Sequence, residues 1–152
     1  KIKQGDFKQT ISAEVDSSGL LIYDEKNKIK IEESTTTILT ALAMVQKKLP
    51  AELDTKWFSY EHQGNLGKLR FIWADSSNAW NGKDSILCDH YRLDIELENP
   101  LKIKSENSDY FLDEINGNDV IRELWLSRSV PKRIIQAHLK TAWFPVSATI
   151  NE

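Results

Sequence analysis

The stretch 86–98 constrains the fold more than any other. Leu87, Tyr91, Leu93, Ile95 and Leu97 alternate there with Cys88, His90, Arg92, Asp94, Glu96 and Glu98. A period of two over so many residues describes a long strand with one face in a core and the other solvated. Trp57 to His62 and Lys68 to Ala74 flank the turn residues Gln63 to Gly67, and the second arm alternates Leu69, Phe71 and Trp73 with Lys68 and Arg70. That pattern predicts a hairpin. Phe7 to Val15 alternates in the same way. Leu20 to Tyr23 and Lys28 to Glu32 read as two further short strands, the second an edge guarded by lysines. After the turn Asn99-Pro100, Leu101 to Lys104 is expected to return as a short strand, with loop to Asp109.

Three helices are expected. Ser34 is placed to cap the first, whose stripe is Ile38, Leu42, Val45 and Leu49, widened by Leu39 and Ala43 and stopped by Pro50. Asn118 is read as the cap of a short second helix, with Val120/Leu124 and Ile121/Trp125 four apart. The last is expected to start at Ser129-Val130-Pro131, to bury Ile134, Ile135, Leu139, Ala142 and Trp143, and to end before Pro145. Tyr110 to Ile115 suits a helical turn or an extended segment equally. The polar run Asp75 to Asp84, with Trp80 in its middle, is read as a loop. Helices set apart from strands that meet through short turns give an α+β fold, a twisted antiparallel sheet of about five to six strands with three helices packed against it.

At 152 residues and 40% hydrophobic, the chain is sized for one globular domain over 1–152. No apolar run approaches the roughly 20 residues of a membrane-spanning helix. A single cysteine, Cys88, and no Asn-x-Ser/Thr acceptor point to an intracellular compartment, cytoplasmic or membrane-peripheral. The chain opens on Lys1 with no initiator Met, so a flexible N-terminal tail is expected to precede it.

Catalytic groups are few. Cys88 and His90 project to one side of the long strand, an arrangement a small Cys/His hydrolase would need, but a thiol beside a surface imidazole is the simpler reading. No zinc or calcium spacing occurs, so neither a metal nor another cofactor is expected, nor a small-molecule substrate. Gly64-Asn65-Leu66-Gly67-Lys68 resembles the tail of a phosphate loop. His62 stands where the first glycine belongs, however, and Leu69 follows the lysine instead of Ser or Thr.

Charge distribution is more informative. The net charge is −3, yet residues 84–119 carry ten carboxylates against Arg92, Lys102 and Lys104, a local −7. Residues 122–140 carry Arg122, Arg128, Lys132, Arg133 and Lys140 against Glu123, a local +4. Arg128, Lys132, Arg133 and Lys140 are therefore candidates for an anionic surface, and the acidic stretch for a basic partner, which includes a second copy. Trp57, Trp73, Trp125 and Trp143 fit core positions, whereas Trp80 does not. Trp80, flanked by Asn78 and Asn81, is the candidate self-association contact.

The succession of a strand from Phe7, a Thr/Ala-rich helix over Ser34 to Ala43, an aromatic hairpin from Lys56-Trp57-Phe58 to Leu69-Arg70-Phe71-Ile72-Trp73, and a long strand ending Leu93 to Leu97 resembles the globular core of rhabdovirus matrix proteins. The resemblance lies in element order and covers most of the chain. It implies a non-enzymatic, self-associating virion protein that binds a membrane and condenses ribonucleoprotein, with an exposed loop engaging a neighbouring copy at Asp75 to Asp84. No Pro-Pro-x-Tyr motif is present. A rival expectation is an acidic protein-binding or toxin-neutralising module whose Asp84 to Asp119 face binds a basic partner, weakened by reversal of Asp94 or Glu96.

Overall fold

The computed structural model describes residues 2–4, 7–9, 12–23, 27–99, 110–141 and 145–149. Its centre is a six-stranded antiparallel sheet in the order β11-β10-β9-β8-β7-β6, built from β6 (Trp57–His62), β7 (Asn65–Trp80), β8 (Ser85–Leu97), β9 (Ile121–Ser127), β10 (Ile134–Lys140) and β11 (Pro145–Thr149). A second sheet joins β3 (Ala13–Val15), β4 (Leu20–Tyr23) and β5 (Asn27–Lys30), and β1 (Ile2–Gln4) pairs with β2 (Phe7–Gln9). The helices are α1 (Ile38–Lys47), α2 (Pro50–Leu53) and α3 (Tyr110–Ile115).

The long alternation is β8, and its odd residues Tyr91, Leu93, Ile95 and Leu97 are buried. They meet Tyr60, Leu69, Phe71, Leu124 and Leu126 of neighbouring strands and Ile38, Ala41, Val45 and Leu53 of α1 and α2, while Leu112 and Ile115 of α3 pack at the margin. The helices thus share one face of the sheet. The opposite face carries a charge ladder, with Lys68 3.1 Å from Glu96 and Arg70 2.9 Å from Asp94. Trp57 lies under the cations of Lys68 and Arg70, each 4.4 Å from its ring centre.

The β6–β7 hairpin turns on two residues, Gln63 (φ 47°) and Gly64 (φ 84°). Two consecutive positive φ angles give the tight turn whose twist matches the strands it joins. A Cβ at Gly64 would lie 2.9 Å from Ile29 of β5, so the glycine also lets the small sheet sit against this turn. Buried Glu61 fastens the contact, accepting from Tyr23 Oη and from Gly64 N, each at 2.6 Å.

Several expectations are corrected. The first helix starts at Ile38 with Thr37 as its cap, not Ser34. Thr37 Oγ1 accepts from Thr40 N, and Thr40 Oγ1 accepts from Thr37 N at 2.7 Å, a reciprocal cap. Leu39 and Leu49 are exposed, and Pro50 opens α2 where it was expected only to stop α1. The helices expected from Asn118 and Ser129 are strands β9 and β10. The four-residue spacings Val120/Leu124 and Ile121/Trp125 imitate a helix, yet burial follows Arg122, Leu124 and Leu126, a period of two. β-Branched Ile134-Ile135 suits a strand. Ser129 to Arg133 forms the β9–β10 connection, with a cis Val130–Pro131 bond. The helical alternative for Tyr110 to Ile115 is the observed one. Phe7 to Val15 is two strands, one paired with β1 and the other with β4. The strand expected over 101–104, the loop to 109, and Ala142 and Trp143 lie outside the described residues.

Arg122 shows what fixes α3. Its guanidinium is buried and donates to the carbonyl of Ile115, the last residue of α3, and to those of Gly117 and Val120 in the connection to β9, so one side chain ties the helix end to the strand. Burial pulls its pKa down to about 10.

Candidate functional site

Asp75 to Trp80 belong to β7, which corrects the expected loop. β7 and β8 stay paired out to Trp80 opposite Ser85, so the segment is one arm of a ribbon. The turn that closes it is held by Asn81, whose Oδ1 accepts from Lys83 N at 2.9 Å and from Asp84 N at 2.6 Å. Asn81 is only 4% exposed, so it shapes the tip from inside. Asn78 and Trp80 are exposed on the strand itself, Trp80 at 56%.

The ribbon outruns its neighbours on both sides. β6 begins at Trp57 opposite Arg70, and β9 covers β8 only from Cys88 to Arg92. Beyond β6 the outer edge of β7 has two more partners, Thr55 N donating to Phe71 O at 2.8 Å and Trp73 N donating to Asp54 Oδ1 at 2.9 Å. From Ala74 to Trp80 no main-chain group on that edge is bonded among the described residues. Seven residues span about 23 Å of open strand edge.

A register shift between Trp73 and Asp75 shapes the faces of this arm. An extra residue in one strand of a pair bends it and re-aims the side chains that follow. On the helix-bearing face, past the helices, lie Trp73 (44% exposed), Asn78, Trp80 and Leu87 (48% exposed). Arg128 crosses the same face, donating to Asp89 Oδ1 at 2.8 and 2.9 Å and to Ser76 Oγ. At the ribbon's root Tyr91 is buried with an unpaired hydroxyl, and burial, then Asp89 and Asp54, pushes its pKa up to about 12.

The ribbon's other face is covered. Ala79 and Cys88 pack with Ile135 of β10, beside Ile86 and Trp125. Trp125 Nε1 donates to Ser77 Oγ at 2.9 Å. The His90 ring stacks on Trp125 at 4.2 Å, with Asp75 3.2 Å from its Nδ1 and Glu123 3.3 Å from its Nε2. His138 of β10 meets Trp125 edge-on at 4.6 Å. The Glu123 approach is close in distance but poorly aligned, so His90 Nε2 makes no hydrogen bond there.

Cys88 and His90 do share a face, but no hydrogen bond joins them among the described residues. The thiol is fully buried and donates to Ile86 O at 3.4 Å, and burial pushes its pKa up, the wrong direction for a nucleophile. Among the described residues no three His, Cys, Asp or Glu side chains converge as metal ligands. No described helix is long and apolar enough to cross a membrane. A cavity of about 200 Å³ between α1, α3 and the β8–β11 strands is walled mainly by apolar groups such as Ile38, Leu42, Leu93, Ile115 and Leu139. Its Arg122 is already committed to three carbonyls.

The charge blocks seen along the sequence are interleaved in space. Asp89 faces Arg128, Asp94 lies between Arg70 and Arg92, and Glu96 faces Lys68. Arg122 is buried, so it adds nothing to a basic surface. Arg128, Lys132 and Arg133 gather at the β9–β10 connection, where Lys132 Nζ donates to Lys48 O at 3.3 Å. Lys140 ends β10, about 23 Å from Arg133 along the strand, so the four candidate cations do not form one patch.

Of the three residues put forward from the sequence as a contact, Asn78 and Trp80 are exposed and Asn81 is buried, while Trp73, Leu87 and the edge itself were not singled out. Trp73 continues the buried parity of Leu69 and Phe71, and only the end of the helix layer exposes it. Trp57 is likewise at the surface rather than in the core. A signal for the ribbon was present in Asn81-Gly82, a dipeptide that turns hairpins and implies strands on both sides. No protein-family model, curated protein or solved structure matches this chain.

Proposed function

We propose that this chain is a non-enzymatic interaction module that self-associates through the β7–β8 ribbon. The observation that carries the proposal is the unpaired edge Ala74–Trp80, with two exposed indoles, Trp73 and Trp80, on the uncovered face beside it. Unpaired N–H and C=O groups in a row are a template for another strand, and exposed aromatic area supplies the affinity. Within the matrix-like reading, self-association is the part this geometry supports. Attachment to an anionic membrane or to ribonucleoprotein rests on Arg128, Lys132 and Arg133 alone, with Arg128 already engaged by Asp89.

Sedimentation velocity over a wide concentration range tests it. The expected result is a monomer–dimer equilibrium little changed by salt, because main-chain bonds and indoles carry the contact. Trp80→Ala should raise the dissociation constant by about tenfold or more, the loss expected of an aromatic anchor that is present in both copies. A chain that stays monomeric at millimolar concentration in low salt would end the proposal.

A further inference from the structure

The free edge also specifies how two copies would meet. Resting on the self-association proposed above, we infer that the partner strand is the same segment of a second copy. It runs antiparallel about a twofold axis through Ser77, which joins the two six-stranded sheets into one.

The main-chain directions come first. Thr55 bonds Phe71 O on the outer edge, so Phe71 turns its main-chain groups away from β8. β8 continues without interruption, so the partners of its alternate residues Leu93, Tyr91, Asp89, Leu87 and Ser85 all turn outward. Past the register shift those partners are Ser76, Asn78 and Trp80. Ser77 is the midpoint of the open segment. A twofold axis there sets Ser76 opposite Asn78 of the second copy, and the reverse, which is the hydrogen-bonded pairing that two outward-facing residues require. Ser77 meets its own mate in a non-hydrogen-bonded pair, where Cα atoms lie about 4.5 Å apart.

Side chains agree with this register. Asp75 is the one charged residue of the edge and falls opposite Ala79 of the second copy, so like charges do not face each other. Asp75 is also already beside His90. Ala74 falls opposite Trp80 of the second copy, which brings that indole to Trp73. The symmetric contact does the same at the far end, so one register covers both exposed tryptophans of both copies. Other residues of the segment are Ser, Ala or Asn, small enough for close strand approach, and neither Pro nor Lys interrupts them. The four indoles, each about half exposed in the single chain, contribute about 400 Å² of newly buried surface. With the strand edge added, the contact stays below the ~1,200 Å² of a standard stable interface, so the dimer belongs to the weak, reversible class.

Disulfide trapping tests the register in a Cys88→Ala background, which removes the native thiol paired with Ser77 across β7 and β8. Ser77→Cys should oxidise to a covalent dimer at concentrations where the parent associates, because the mated Cα atoms fall within disulfide reach. Asn78→Cys should not cross-link to itself, but should do so when mixed with Ser76→Cys. Sedimentation of the Cys88→Ala parent runs alongside. A parent that dimerises while Ser77→Cys stays uncross-linked, or while Asn78→Cys alone cross-links faster, overturns the twofold at Ser77 and leaves self-association standing. A parent that is monomeric throughout overturns both.

Discussion

β5 and the outer half of β7 both end a sheet, yet they present opposite surfaces to solvent. β5 is four residues long and sets exposed Lys28 and Lys30 at its edge. A second strand that approached it would have to desolvate two ammonium groups. The outer half of β7 offers nearly twice the length, no lysine and no proline, and exposed Trp73 and Trp80. The other borders of the large sheet are protected in their own ways. β11 begins with Pro145, and the β6 edge is bonded by Thr36, whose N donates to Ser59 O at 2.8 Å and whose O accepts from Glu61 N at 2.9 Å. Among these edges of the described residues, the outer half of β7 is the one left long and unguarded, which is why the proposed contact is placed there.

The largest effect should come from closing that edge. Asn78→Pro removes an outward N–H from the middle of the segment without touching the β7–β8 ladder, since the lost donor faces away from β8. Sedimentation should find a monomer up to the highest soluble concentration, with the circular dichroism spectrum of the parent. A persistent dimer would separate association from the edge.

The second variant erases the difference from the other side. Lys28→Val with Lys30→Thr strips the guards from β5 and should add species larger than a dimer, visible as light scattering that rises with concentration. If the double variant behaves as the parent does, the lysines are not what protects β5.

The smallest effect concerns the charge ladder beside the proximal half of β7, which stability should sense and association should not. Burial opposes ionisation of Asp94, but hydrogen bonds and charge from Arg92 and Arg70 outweigh it and hold the carboxyl below its usual value of 3.8. A depressed folded-state value means the ionised form favours the fold. That contribution is complete above the unfolded value and is lost as pH falls through the folded one. Urea midpoints should therefore decline over the acid range, and Asp94→Asn should flatten the decline modestly, the group being partly exposed.

How much was legible in the sequence follows from which interactions decide each element. β8, the β6–β7 hairpin and the lysine-guarded β5 announce themselves through alternation and turn residues, because a two-residue period has one face to bury. β9 and β10 do not. Their apolar residues satisfy helical and strand spacings at once, and only pairing with β8, a long-range contact, decides between them. The proposed interaction surface was half visible. Trp80 stood out as an aromatic among polar residues, but Trp73 looks like core until the extent of α1 and α2 is known. The charge blocks misled for the same reason, since Asp94 and Glu96 are matched by Arg70 and Lys68 on the adjacent strand, about two dozen residues earlier.

Amide hydrogen exchange at low and high protein concentration tests the central claim most directly. The account predicts that the amides of Ser76, Asn78 and Trp80, open in the monomer, become protected as concentration rises, while those of Lys28 and Lys30 do not change. Association that leaves Ser76, Asn78 and Trp80 exchanging at their dilute rate, or that protects β5 in their place, would contradict it.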